Sequence, residues 1–215
     1  MRLMMTCVCM CLAVGLCVQS AQATLMAPGS TQLAAPEADP VGGTIVGGGV
    51  PVVFTAPTVS GTLTTTVYQN DSSNPLGGLT FTFLVQNNGP HQVGRFTVSG
   101  FEGWLTDVSF QVPTTGVQPT FQDRDTTGDV IGFDFVAPLP VVPPIGSGKL
   151  SPGQTSALMV IQTNAPSFTP ALAHVIDGFA VEVSSFAPIP EPLTVLGLLA
   201  SAGGIGAYIR RRQVA

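Results

Sequence analysis

Cysteine is confined to the first 17 residues of this 215-residue chain, at Cys7, Cys9, Cys11 and Cys17. The sequence beyond them has no thiol, so a disulfide framework, a thiol nucleophile and a cysteine metal site are all excluded there. Cations are almost as scarce. Between residues 24 and 187 only Arg95, Arg124 and Lys149 are positive, against eleven acids, a net charge of −8. Nucleic-acid binding needs clustered Lys and Arg, so that class is excluded. The same balance repels anionic lipid headgroups.

Histidine occurs only at His91 and His174, and no Gly-x-Ser-x-Gly elbow exists to present a nucleophilic serine. His174 with Asp177 reads as a pair at a strand edge. The glutamates available between residues 24 and 187 as paired acids are Glu37, Glu102 and Glu182, and their separation is a property of the fold. Gly47, Gly48 and Gly49 have neither the lysine nor the helix start of a phosphate loop, so they read as a flexible turn. The expectation is a protein that is not an enzyme.

What is present is β-type patterning. Short apolar runs alternate with period 2 and are broken by turn residues. In residues 79–86, Phe81, Phe83 and Val85 share one face, with Thr80, Thr82 and Leu84 on the other. Val108, Phe110 and Val112 line up in the same way, as do Ile131, Phe133 and Phe135. Further strands are expected at 50–55, 58–69, 92–99, 104–112, 130–136, 155–163 and 175–186. Residues 138–147 carry four prolines and read as an irregular connection or an edge. No amphipathic helix interrupts the series. The expected fold is all-β, a single antiparallel β-sandwich of jelly-roll or immunoglobulin-like type spanning 44–187, behind a flexible lead-in at 24–43.

One loop has the oxygen spacing of a calcium site. With Asp123 at position 1, Asp125 falls at 3, Thr127 at 5, Gly128 at 6 and Asp134 at 12, and Asp129 lies in the same run. A hard cation takes several oxygens around one tight turn, and glycine permits the turn. Thr127 is a weak ligand, Asp134 is shorter than the usual Glu, and the flanks read as strand rather than helix. The alternative is a solvated polar turn with no cofactor. Trp104, beside Phe101, either stacks on a sugar or belongs to the core, and the core is favoured for a lone Trp in a sandwich.

Both ends carry targeting patterns. Arg2 precedes an apolar, uncharged stretch at 3–18, and Ala21-Gln22-Ala23 is a small-x-small cleavage pattern. Residues 1–23 therefore read as a secretory signal peptide cut after Ala23. At the other end, Ile189-Pro190-Glu191-Pro192 leads into the uncharged run 193–209 and then Arg210-Arg211-Arg212. Seventeen residues of helix span roughly 25 Å, near the lower limit for crossing a bilayer. The arginines mark the cytoplasmic side, which puts Glu191 and everything before it outside. The expectation is one C-terminal transmembrane helix.

This tail, residues 188–215, resembles the PEP-CTERM sorting signal of Gram-negative bacteria. The match rests on Pro190-Glu191-Pro192, the short apolar run and the arginine cluster, in that order, with Ile189 in the place usually held by Val. The resemblance implies recognition by an exosortase, a membrane-embedded cysteine transpeptidase-like enzyme, with Ile189 to Pro192 as its substrate motif. It implies export through the inner membrane and delivery to the cell surface, the envelope or extracellular polysaccharide. The competing reading is a permanent single-span anchor, with a calcium- or carbohydrate-binding module or a surface hydrolase outside the membrane.

Overall fold

The computed structural model describes residues 25–136 and 146–189. Twelve strands and no helix occur among them. They are β1 (Thr31–Leu33), β2 (Pro36–Glu37), β3 (Thr44–Thr55), β4 (Ser60–Gln69), β5 (Thr80–Asn87), β6 (Arg95–Val98), β7 (Thr106–Gln111), β8 (Phe121–Arg124), β9 (Ile131–Asp134), β10 (Met159–Thr163), β11 (Phe168–Ile176) and β12 (Ala180–Pro188). One six-stranded sheet has the order β1-β8-β9-β6-β11-β12, and the other β2-β7-β10-β5-β4-β3. The β2–β7 pair is parallel and the other neighbours are antiparallel.

The two sheets bury their facing surfaces against each other, as in a β-sandwich. Phe81, Phe83 and Val85 from β5 and Leu63 and Val67 from β4 meet Phe96, Val98, Ile131, Phe133 and Val175 from the other sheet. The rings of Phe83 and Phe96 lie 5.4 Å apart across the interface, and Phe81 meets Phe101 edge-on at 5.6 Å. The period-2 alternation is the cause, because it places every second side chain on one face of a strand. The inward sets expected on β5 and β9 are fully buried.

The outward set on β5 departs from expectation. Thr80 and Thr82 are buried too. The stretch read as a flexible lead-in crosses from one sheet to the other, adding β1 at an edge beside β8 and β2 at an edge beside β7. Residues 31–33 and 36–37 are strands, Met26 and Ala34 are buried, and the ordered fold starts well before Thr44. Short pairings of two or three residues carry no alternation, so the pattern was invisible in the sequence. Side chains hold the crossing in place. Asp71 accepts hydrogen bonds from Val41 N, from Ser73 and from Thr80 Oγ1, and the Gln122 side chain donates to Val108 O at 2.6 Å.

Two further differences concern turns. Gly47 to Gly49 lie inside β3, where the register shifts on both sides of Gly47-Gly48. At Gly48 φ is +75°, and a β-carbon would collide with Thr65 O of the neighbouring strand, so the glycine is required by the bulge. The stretch expected as one strand at 175–186 is instead most of a hairpin, with β11 and β12 paired from Phe168↔Pro188 to Ile176↔Ala180 around Asp177 and Gly178.

Arg124, at the end of β8, is the polar centre of the fold. It is buried, and its guanidinium faces oxygen on every side. Nε donates to Gly128 O, Nη1 to Met26 O and Thr106 Oγ1, and Nη2 to Phe101 O and Trp104 O, all at 2.8–3.0 Å. Those five bonds use all five N–H donors of an arginine. They tie the segment at Met26, the 99–105 loop, β7 and the 125–130 turn to one group. Burial holds the pKa of Arg124 below its ordinary value, partly offset by Asp125. Replacement by lysine supplies three donors without the planar fork and strands at least two buried acceptors. Arg124→Lys is expected to lower unfolding free energy by about 2–4 kcal/mol in urea titration.

Candidate functional site

The aspartates of the expected calcium loop separate into distinct groups. Asp123 on β8 and Asp134 on β9 both turn to Arg95 on β6. Arg95 Nη1 lies 2.7 Å from Asp123 Oδ1 and 2.8 Å from both oxygens of Asp134, and Nη2 lies 2.9 Å from Asp123 Oδ2. Gly132, on the intervening strand, makes this possible. Its missing side chain leaves the space through which the guanidinium reaches Asp123. Burial alone would lower the Arg95 pKa, but hydrogen bonds and charge from the two carboxylates outweigh it and hold the group above its ordinary value.

The remainder of the loop is self-contained. Asp125 Oδ2 accepts from Thr127 Oγ1 at 2.6 Å, and Oδ1 accepts from Val130 N at 3.0 Å. Slight burial pushes the Asp125 carboxyl up. The bonds from Thr127 and from the backbone of Val130, Asp129 and Gly128 outweigh that and hold it below its ordinary value. Asp129 points elsewhere, accepting from Gly100 N at 2.9 Å. This is an Asx-type turn that stabilises a hairpin, and the positions spaced for one ion serve Arg95, the turn and the 99–105 loop. Among the described residues no group of three or more His, Cys, Asp or Glu side chains is arranged to hold a metal.

The histidines have carboxylate neighbours, with one exchange of partner. His174 faces Glu182 across the β11–β12 ladder at 3.6 Å, and Asp177 stands 3.6 Å from His91. The expected His174–Asp177 pair is replaced because the hairpin register sets Glu182 opposite His174. Trp104 is buried, as a core tryptophan should be, and its indole N–H has no hydrogen-bond partner.

Sequence reasoning missed an acidic pocket. Glu37 on β2, Asp39 just after it and Asp107 on β7 line a small cavity of about 80 Å³ with Ser73 and Pro75. Asp39 Oδ2 accepts from Ser109 Oγ at 3.1 Å. Burial pushes the Glu37 carboxyl from 4.5 up to about 7, helped by the charges of Asp107 and Asp39. Burial also raises Asp39, against the bonds from its own backbone and Ser109. These residues come from separate segments, so no spacing motif marks them. A third feature is an open groove of about 930 Å³ with no charged residue in its lining, where Gln111, Thr114, Thr115, Gln154 and Thr155 stand beside the apolar Leu84, Val117 and Leu158.

Of the targeting residues, only Ile189 is described. It follows β12 directly and donates its N–H to Ser167 O at 3.2 Å. Pro190, Glu191, Pro192, Arg210, Arg211, Arg212, Ala21 and Ala23 lie outside the described residues. Comparison of the chain with family models, with curated proteins and with solved structures finds no match in any of the three.

Two outcomes are expected of the purified protein. Calcium should leave Tm unchanged, since Asp123 and Asp134 are held by Arg95; a saturable rise would show that an ion displaces the guanidinium. Stability should fall as pH rises. A folded carboxyl that binds its proton more tightly than the unfolded one stabilises fully below pH 4.5, and that contribution is lost as pH climbs through about 7. Thermal melts from pH 5 to 8 should show the decline, and Glu37→Gln should flatten it.

Proposed function

We propose that this chain is an exported surface or extracellular-matrix protein without enzymatic activity, sorted through a PEP-CTERM signal and released by an exosortase-type enzyme. The observation that carries this reading is the tail itself: a proline-bracketed glutamate, one membrane-length apolar run and an arginine stop, in that order. The position of Ile189 supports it, because the motif starts where β12 ends and Ile189 itself is substantially exposed. A motif set at the border of a stable domain presents an extended proline-flanked segment beside the membrane, where a membrane-embedded enzyme can reach it.

The body of the chain supports a binding or structural role over catalysis. Its histidines pair with carboxylates on a ladder and a hairpin tip, and its best-placed acids stabilise loops. The repeated passage of the chain between sheets, at β5–β6, β6–β7, β7–β8, β9–β10 and β10–β11, favours the jelly-roll alternative over the immunoglobulin-like one. An uncharged groove on an acidic protein suits a neutral polysaccharide better than a charged one. No cofactor is required by this reading.

Intact mass of the mature protein, from cells with and without the processing enzyme, tests it. With the enzyme the product should begin at Thr24 and lack residues 193–215. Without it, the tail should remain. An intact C-terminus in both strains would remove the sorting role and leave a permanent anchor.

A further inference from the structure

The first and last described residues, Leu25 and Ile189, lie at one pole of the sandwich. Ile189 N bonds to Ser167 O, in the loop between β10 and β11. Leu105 N, just before β7, bonds to Asn164 Oδ1 of the same loop at 3.0 Å. Met26 N bonds to Thr106 O, and Leu25 forms a bridge with Asp107. The first and last described residues thus belong to one cluster of loops. In sequence, Leu25 stands two residues after the expected cleavage at Ala23, and Ile189 opens the sorting motif.

Two large apolar side chains stand exposed on this pole. Leu25 and Leu105 are 52% and 50% exposed. Between them opens a cavity of about 390 Å³, lined chiefly by Leu25, Met26, Pro28, Trp104 and Leu105. Trp104 is 94% buried, and its indole N–H is the one buried donor there without an acceptor. Two exposed leucines beside an apolar cavity offer a surface that can enter the interfacial zone of a bilayer, with Trp104 directly beneath them.

Chain length says what covers it. Only Pro190, Glu191 and Pro192 separate Ile189 from the apolar run beginning at Leu193. Four peptide steps reach at most about 14 Å even when fully extended. A tail inserted in a bilayer therefore holds this pole at headgroup depth.

We propose that the Leu25–Trp104–Leu105 pole lies against the outer surface of the bilayer while the precursor is anchored, with both leucines seated among lipids and the cavity open to them. The proposal rests on the tail reading above. The partner is a zwitterionic lipid surface such as phosphatidylcholine, into whose interface the two exposed leucines insert. Anionic lipid is disfavoured, because Glu102, Asp125 and Asp129 lie on the loops of the same pole and Arg124 is fully engaged inside. The contact would hold the sandwich in one orientation and keep the motif at Ile189 next to the membrane until release.

Trp104 is the sole tryptophan of the chain, so emission excited at a wavelength that Tyr68 and Tyr208 do not absorb reports on this pole alone. The test uses the full chain in phosphatidylcholine vesicles, with plain or brominated acyl chains, and a flotation assay on the same samples. The expected result is flotation in both lipids and loss of Trp104 emission with the brominated lipid. Leu25→Asp combined with Leu105→Asp should restore the emission without changing flotation. Flotation with equal emission in both lipids would overturn the apposition and leave the tail reading standing. Undiminished quenching in the double variant would overturn the leucine contact. A chain that stays in the aqueous fraction would remove the tail reading and this proposal together.

Discussion

One buried guanidinium organises the pole on which both functional readings converge. Arg124 sits among carbonyl oxygens, and a charge out of water is tolerable only when its donors are all used. Here they are, and the acceptors belong to four otherwise independent segments: Met26, the 99–105 loop, Thr106 and the 125–130 turn. The loops carry little regular structure of their own. Their shape is fixed by the geometry of a planar fork, which is why a flexible ammonium is a poor substitute. Leu25, Trp104 and Leu105 take their positions from this arrangement.

The two arginines of the sandwich divide the electrostatic work. Arg95 lies among carboxylates and gathers Asp123 and Asp134 across three strands. Arg124 takes no carboxylate and gathers backbone. Asp125, next to Arg124 in sequence, closes its own turn. Local charge is therefore balanced where strands cross, while Glu37, Asp39 and Asp107 gather at a separate pocket. There burial, then the charges of Asp107 and Asp39, raise the Glu37 carboxyl to about 7.

Much of the core was legible because alternation is a geometric consequence of the strand. Phe81, Phe83 and Val85, and Ile131, Phe133 and Phe135, stand on the face their spacing predicts. The short elements were not legible. Phe121–Arg124 is four residues with three polar side chains, which reads as loop, and β1 and β2 have no period to detect. The hairpin at Asp177-Gly178 was hidden because the expected strand 175–186 took in only the last two residues of β11 and ran through the turn into β12. For the site, the spacing of Asp123 to Asp134 correctly marked a region dense in carboxylates. It could not show that Arg95, distant in sequence, is their partner, since a lone arginine carries no signature of what it faces. The acidic pocket and the leucine–tryptophan pole likewise join segments far apart in the chain, and only the fold brings them together.

The central claim is one of placement: the sandwich outside, the apolar run in the bilayer, the three arginines inside. External protease added to spheroplasts of cells lacking the processing enzyme tests that placement directly. The account predicts that the sandwich is accessible while a short fragment ending in Arg210-Arg211-Arg212 and the residues after it stays protected and membrane-bound. Recovery of the entire chain, undigested and soluble in the cytosol, would contradict it.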